Sequence, residues 1–148
     1  MKKGVVLRYL KGTIFYANLE PKIGSEQGGI RPVIVVQTDK ENWKNPTVII
    51  APLTKKINNK PNLPSHINIK KFGKLKYDSV ILLEQIRVLD KSRIKNEFIG
   101  RANNKTIKKI NKGLEKLWNL GGKVNDYNNR NNIFDDSNIL LCCLYSFK

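Results

Sequence analysis

The sequence has few of the residues on which metal and acid–base sites are usually built. It contains one histidine, His66, which excludes catalysis by a pair of histidines acting as acid and base. Cys142 and Cys143 are adjacent, so they lack the spacing of zinc ligands and the geometry for a disulfide with each other. The 12 Asp and Glu residues form no paired-carboxylate cluster for two metal ions. We therefore expect no metal, no cofactor and free thiols, as is usual in a reducing cytoplasm.

Long apolar segments are missing as well. No run approaches the roughly 18 residues that a membrane span requires. The apolar patch at residues 5–7 ends at Arg8 and is too short for the core of a secretory signal. We expect a cytoplasmic protein without membrane contact, and 148 residues suffice for one domain with one core.

Positive charge is abundant. The chain has 28 Lys and Arg against 12 Asp and Glu, a formal net charge of +16 at pH 7. Residues 121–148 hold three bases and three acids, so the excess lies in residues 1–120. Such a basic domain is expected to bind a polyanion: nucleic acid, an acidic protein segment or an anionic membrane surface. A lysine-rich composition that only aids solubility is the alternative, and charge does not decide between them.

Short apolar segments rich in β-branched residues predict a mainly β domain, a compact barrel or sandwich. The segments predicted as strands are residues 11–18, 32–37, 47–51, 66–70, 79–83 and 86–89. The residues between the second and third strands, 39–46, are polar and predict a connector that contains Trp43.

One helix is predicted late in the chain. Asn104 is a suitable N-cap, and apolar residues from Ile107 to Leu117 recur at spacings of three and four. Lysines occupy the opposite face, and Gly121 and Gly122 are expected to end the helix. Residues 125–132 are rich in asparagine and expected to be disordered, before an apolar end at residues 139–145. We therefore divide the chain into a domain at 1–120 and an extension at 121–148.

Three polar strings follow or precede the apolar segments. In residues 24–32, glycines allow backbone N–H groups to approach an anion, and Arg31 stands at the mouth of a strand, where its planar fork could hold a phosphate. A hairpin loop with a solvated arginine is the alternative. Thr54 ends an apolar strand and could donate a hydrogen bond to a phosphoryl oxygen, or serve a turn. In residues 77–87, Glu84 and Arg87 could form a cross-strand ion pair.

Together and in this order, these strings resemble the MazF/PemK-type toxin endoribonucleases of type II toxin–antitoxin systems. The resemblance runs from Lys11 to a helix ending near Leu117, and the glycine-loop arginine and the LLEQIR strand are its most specific parts. The matching strings are KGxIFYANL at 11–19, SEQGGxRP at 25–32, TVIIAxLT at 47–54, PSH at 64–66, DSVILLEQIRxLD at 78–90 and IG at 99–100, where x marks a position outside the match. Thr13 departs from the family, which often has an acid there.

The resemblance implies a small SH3-like barrel of the CcdB/PemK type with a C-terminal helix. It also implies a homodimer that cuts single-stranded RNA without a metal, by attack of the ribose 2′-hydroxyl, and a cognate antitoxin with an acidic segment. The family's catalytic arginine and threonine fall on Arg31 and Thr54. RNA would be bound by Ser25, Glu26, Gln27, Gly28, Gly29, Lys56, Glu84 and Gln85.

Two other functions remain open at this point. A gyrase-poisoning toxin of the CcdB type would use the same barrel to bind a protein and would cut nothing. A plain nucleic-acid-binding barrel would also suit the charge. His66 is more typical of a structural histidine than of a catalytic one, and the general base has no candidate.

Overall fold

The computed structural model describes residues 9–55 and 63–120. Within these ranges lie seven strands, two helices and two short 3-10 turns, at Leu83–Gln85 and Lys91–Arg93. The strands are β1 (Thr13–Asn18), β2 (Ile30–Val35), β3 (Thr47–Lys55), β4 (His66–Ile69), β5 (Ser79–Leu82), β6 (Arg87–Asp90) and β7 (Ile94–Arg101), and the helices are α1 (Asp39–Lys44) and α2 (Asn104–Leu117). Lys56 and the extension at 121–148 lie outside the described residues.

The strands form one antiparallel sheet in the order β4-β5-β3-β2-β1-β7. The long strand β3 organises it: along one edge, Thr47–Ile50 pairs with β6 and Leu53–Lys55 pairs with β5. The opposite edge of β3 pairs with β2. Because one strand serves two partners on the same edge, the sheet curls around it. The predicted mainly β fold with a C-terminal helix is confirmed.

Both faces of this sheet carry apolar clusters. Ile34, Ala51 and Leu53 belong to one cluster, which also contains Ile110 of α2. Val33 and Ile50, their neighbours along the strands, belong to the other. Successive strand residues point to opposite faces, so strands covered on both sides have continuous apolar runs. Full burial of such side chains contributes about 1.5–3 kcal/mol each.

Helix α2 agrees with its prediction except at its ends. The N-cap is Asn103, one residue earlier than expected; its side chain accepts a hydrogen bond of 2.9 Å from the Thr106 amide. The helix ends at Leu117, and Asn119 adopts a left-handed φ of 52°, before the glycines expected to stop it. Its lysines are exposed, as predicted. None of the helices in the described residues is long and apolar enough to cross a membrane.

Three other local expectations were wrong. The polar connector at 39–46 contains helix α1, whose first turn has acids at Asp39 and Glu41 that favour a helix start. Strand β7 was not predicted, since its Lys95, Asn96 and Glu97 obscure any alternation of apolar residues. The strand predicted at 79–83 ends one residue early, because Leu83 begins the 3-10 turn Leu83–Gln85 between β5 and β6.

Candidate active site

The loop that joins β1 to β2, residues 19–29, is held by its own hydrogen bonds. The Leu19 amide donates to the Gly29 carbonyl at 3.0 Å and closes the base of the loop. The Glu20 carboxylate accepts from the Gly29 amide at 2.6 Å. Gly29 has a φ of +73°, a left-handed conformation that favours glycine, and a Cβ on Gly28 would lie 2.4 Å from the Lys22 side chain, which would have to move. The Gly29 amide predicted to face an anion is therefore already bonded to a carboxylate.

This loop orients the predicted catalytic arginine. Arg31 is the second residue of β2 and is half-buried. Its Nε donates to the Gly28 carbonyl at 2.7 Å, and one of its terminal nitrogens donates to Oε1 of Gln27. A guanidinium has five N–H donors, so further donors remain for a ligand. The alternative of a merely solvated arginine is wrong, because the loop fixes the plane of the guanidinium.

Gln85 connects the same loop to the 3-10 turn at Leu83–Gln85. Its Oε1 accepts from the Gln27 amide at 3.2 Å, and its Nε2 lies 3.5 Å from the Ser25 carbonyl. A chain of contacts thus runs from Gln85 through Gln27 to Arg31. Gln85 was predicted to contact RNA, but in this structure both ends of its amide face the main chain of the loop.

Thr54 lies in a strand and not in a turn. It is the eighth residue of β3, half-buried and paired with Val80 of β5. Strands β2 and β3 pair as far as Val33 opposite Pro52. Arg31 stands two residues before Val33 and Thr54 two residues after Pro52, so both lie just beyond the same end of this pairing.

A cavity of about 360 Å³ lies between the loop, β3 and the 3-10 turn. Four residues predicted to bind RNA line it, namely Glu26, Gln27, Glu84 and Gln85. Ser25 is adjacent through its contact with Gln85. Arg87, which was not predicted as a site residue, also lines the cavity and donates to the Leu19 carbonyl at 3.3 Å. The full lining is Glu26, Gln27, Pro52, Glu84, Gln85, Ile86 and Arg87.

Glu84 is bonded to His66 rather than to Arg87. The His66 Nε2 and Glu84 Oε1 atoms are 2.8 Å apart, and the Leu83 amide donates to the Ser65 carbonyl at 3.1 Å. The start of β4 therefore supports the turn that carries Glu84. The suggested ion pair between Glu84 and Arg87 is wrong, since the Arg87 guanidinium reaches across to the β1–β2 loop.

Charge in this region is nearly balanced. Two carboxylates and one guanidinium line the cavity, and Arg31 adds a second cation beside it. Lys55, at the end of β3, is exposed, with its ammonium 4.5 Å from the centre of the Tyr77 ring. In residues 9–55 and 63–120, no three His, Cys, Asp or Glu side chains are grouped so that they could hold a metal ion.

Comparisons with known proteins agree on one family. The model of PemK-like, MazF-like toxins of type II toxin–antitoxin systems matches residues 10–118. The Endoribonuclease MazF of Staphylococcus saprophyticus is 48% identical over 106 residues, which cover 71% of this chain and 87% of that protein. The fold resembles the MazF crystal structure from Deinococcus radiodurans, with a TM-score of 0.63 and 24% identity over 75% of this chain and 96% of that one. An endoribonuclease in complex with its cognate antitoxin, from a mycobacterial species, also has a TM-score of 0.63, with 19% identity over 77% and 98% of the two chains.

Proposed function

Because the chain belongs to the PemK-like, MazF-like toxin family of type II toxin–antitoxin systems, we propose that it is an endoribonuclease that cuts single-stranded RNA at a short sequence without a metal. The observation that carries this proposal is the fixed guanidinium of Arg31, which the loop holds at the end of the β2–β3 pairing where Thr54 also lies. The gyrase-poisoning alternative is not favoured, since its class cuts nothing whereas the 48% identical relative is named an endoribonuclease.

The chemistry follows from where charge develops. The 2′-hydroxyl of a ribose loses its proton and attacks the adjacent phosphate, and the 5′-oxygen of the next nucleotide leaves and takes up a proton. The products are a 2′,3′-cyclic phosphate and a 5′-hydroxyl. Negative charge grows on the phosphoryl oxygens, so donors fixed beforehand near them lower the barrier. Arginine stays protonated in proteins, so Arg31 serves as a donor and stabiliser, with Thr54 as a second, uncharged donor.

The cavity beside Arg31 suits the recognition of bases. Single-stranded RNA exposes the edges of its bases, which carry both donors and acceptors. Carboxylates accept from base amino groups, and amides can do both, so Glu26, Glu84 and Gln27 are suited to read them. The proposed RNA surface also includes Ser25, Gly28, Gly29, Lys56 and Gln85.

We further propose a cytoplasmic homodimer inhibited by a cognate antitoxin with an acidic segment, with residues 1–120 as the toxin domain and 121–148 as an extension. Support for the antitoxin comes from the mycobacterial neighbour, which is in complex with its own, and from the net charge of +16. Association of opposite charges weakens with salt, so the complex should lose affinity steadily as ionic strength rises.

Cleavage of a long mixed-sequence RNA in excess EDTA tests the proposal. We expect cuts at one short sequence that leave 2′,3′-cyclic phosphate ends. Arg31→Ala should lower the single-turnover rate at saturating enzyme by roughly 10²–10³-fold, as for the loss of one oxyanion-hole donor. Arg101→Ala, which removes an exposed arginine of β7, is the matched control and should cut normally. Activity restored only by added magnesium, or a normal rate for Arg31→Ala, would contradict the proposal.

A further inference from the structure

His66 is the one histidine of the chain, and the proposed cleavage does not use it. Its side chain is 11% exposed, and its Nε2 atom lies 2.8 Å from Oε1 of Glu84, whose side chain is 32% exposed. An ionised carboxylate can only accept hydrogen bonds, so Nε2 carries the proton of this bond. Hydrogen bonds to a charged acceptor are stronger than neutral ones. A mostly buried donor is thus committed to a carboxylate that lines the cavity of the proposed active site.

The sheet places His66 on the face that bears Thr54. Between β4 and β5, His66 is paired with Leu82, and Asn68 is paired with Val80. Val80 is in turn paired with Thr54 of β3. Paired residues point to the same face of a sheet, and so do residues two apart in one strand. His66 and Thr54 therefore share a face, two strands apart, at a strand spacing of about 4.8 Å.

The backbone on both sides of this hydrogen bond is fixed. The Leu83 amide donates to the Ser65 carbonyl at 3.1 Å, which joins the residues directly before Glu84 and His66. Leu83 is 0% exposed, and a Cβ on Gly113 of α2 would lie 2.5 Å from its Cδ1 atom. The helix thus packs closely against the turn that carries Glu84. The His66 side chain therefore acts on the carboxylate from a backbone that is already in place.

The bond to His66 leaves one carboxylate oxygen of Glu84 for a ligand. Oε1 is engaged, and no hydrogen bond within residues 9–55 and 63–120 involves Oε2. A group that can only accept requires a ligand that donates. On the Watson–Crick edge, adenine, cytosine and guanine each present an amino group, whereas uracil presents one N–H between two carbonyl oxygens. A fixed carboxylate therefore favours the first three bases and repels the carbonyl oxygens of uracil.

Resting on the proposed RNA cleavage, we propose that His66 is the positioning residue of a base-reading carboxylate. Its Nε2–H holds Oε1 of Glu84, so that Oε2 accepts from the amino group of an adenine, cytosine or guanine at one position of the cleavage sequence. His66 itself does not line the cavity and touches no base. The main-chain bond between Leu83 and Ser65 already braces the start of β4 against the turn, which leaves the orientation of the carboxylate as the task of His66.

Oligonucleotides with one altered base test this assignment. Once the cleavage sequence is mapped, each base in it that bears an amino group is replaced in turn by an analogue that lacks this group. Uridine replaces cytidine, inosine replaces guanosine and purine riboside replaces adenosine. The ratio of kcat/KM for the parent RNA to kcat/KM for the altered RNA is the discrimination at that position.

Four variants are compared with the unmodified protein. His66→Leu fills the space without a donor, and His66→Gln retains a side-chain N–H. Glu84→Gln replaces the group that can only accept, alone and together with His66→Leu. Lys70→Leu is the matched control, because it breaks the ion pair of Lys70 with Asp78 at the other end of β4 and β5.

In the unmodified protein we expect a discrimination of roughly 10–100-fold at one position, the size of a hydrogen bond to a charged group. Glu84→Gln should abolish most of it. His66→Leu should lower it about three- to tenfold through KM, with an unchanged single-turnover rate at saturating enzyme, and His66→Gln should restore most of this loss. In the Glu84→Gln background, His66→Leu should lower the discrimination no further. Lys70→Leu should leave it unchanged.

Two results would overturn the assignment. One is the absence of any position at which the amino group matters. The other is a loss of kcat/KM in His66→Leu that is equal on parent and altered RNA, which would make His66 only a brace of the fold. If circular dichroism shows that His66→Leu does not fold, His66→Ala repeats the test with the space left empty. Failure of the unmodified protein to cut any RNA would refute the proposed function, whereas cleavage with a discrimination independent of His66 would refute only the role of His66.

Discussion

Replacing Gln85 by alanine should slow RNA cleavage although Gln85 need not touch the reacting phosphate. Its amide accepts from the Gln27 main chain and faces the Ser25 carbonyl, and Gln27 in turn holds the guanidinium of Arg31. Without Gln85, the loop loses its link to the 3-10 turn. Arg31 should then spend part of its time away from the orientation in which it can stabilise the developing charge.

The size of the effect follows from the contacts. A hydrogen bond contributes about 0.5–1.5 kcal/mol net, and only the 3.2 Å bond to Gln27 has good length, since the 3.5 Å contact to Ser25 is at the limit. A loss of about 1 kcal/mol corresponds to roughly fivefold, at 1.4 kcal/mol for each factor of ten. We therefore expect a fall of about three- to tenfold in the single-turnover rate at saturating enzyme, in addition to any loss of RNA affinity that follows from the place of Gln85 on the proposed RNA surface.

Three variants make the assay decisive. Gln37→Ala is the matched control, because Gln37 also accepts a main-chain hydrogen bond, from Ile49 at 3.1 Å, outside the β1–β2 loop. Gln85→Glu keeps the acceptor for Gln27 and should lose less rate than Gln85→Ala. In an Arg31→Ala background, Gln85→Ala should cost little more, since it acts through Arg31. If Gln85→Ala instead left the saturated rate unchanged and only weakened RNA binding, Gln85 would act solely as an RNA contact, and the reasoning about the orientation of Arg31 would be refuted.

Three further predictions concern the second donor, the core and acid stability. Thr54→Ala should slow the same chemical step, less than Arg31→Ala because its donor is uncharged, and the double variant should be clearly non-additive in single-turnover rates. Ile110→Ala should lower the free energy of unfolding by about 2–5 kcal/mol in denaturant titrations, because this side chain is 2% exposed between α2 and the sheet; a smaller loss would show that α2 is loosely docked. The Lys71 amide, followed by Lys70, lowers the pKa of Asp78. The ionised Asp78 carboxylate therefore contributes to stability above the unfolded pKa of about 3.9, and this contribution is lost as pH falls through the pKa of the folded state. Asp78→Asn should flatten acid unfolding curves in that range.

Much of the fold could be predicted from local pattern. β-Branched runs predicted most strands, because a strand covered on both faces needs apolar residues at every position. The spacing of three and four predicted α2, since it follows from the helix repeat itself. The order of the polar strings indicated the family and assigned Arg31 and Thr54. Each string is a short run of neighbouring residues at the end of a predicted strand, so it could be found without the tertiary structure.

Only the tertiary structure decided which polar groups meet. Strand β7 is hidden in the sequence because it lies at the end of the sheet beside β1, where charged side chains reach water and alternation is weak. Glu84 could pair with Arg87 by spacing alone, but the turn at Leu83–Gln85 directs it to His66, 18 positions earlier. Gln85 likewise finds its partner 58 residues away. Such contacts arise because β3 pairs with both β5 and β6, and this double pairing places the turn at Leu83–Gln85 beside the β1–β2 loop. The sequence of neighbouring residues does not indicate that one strand has these two partners.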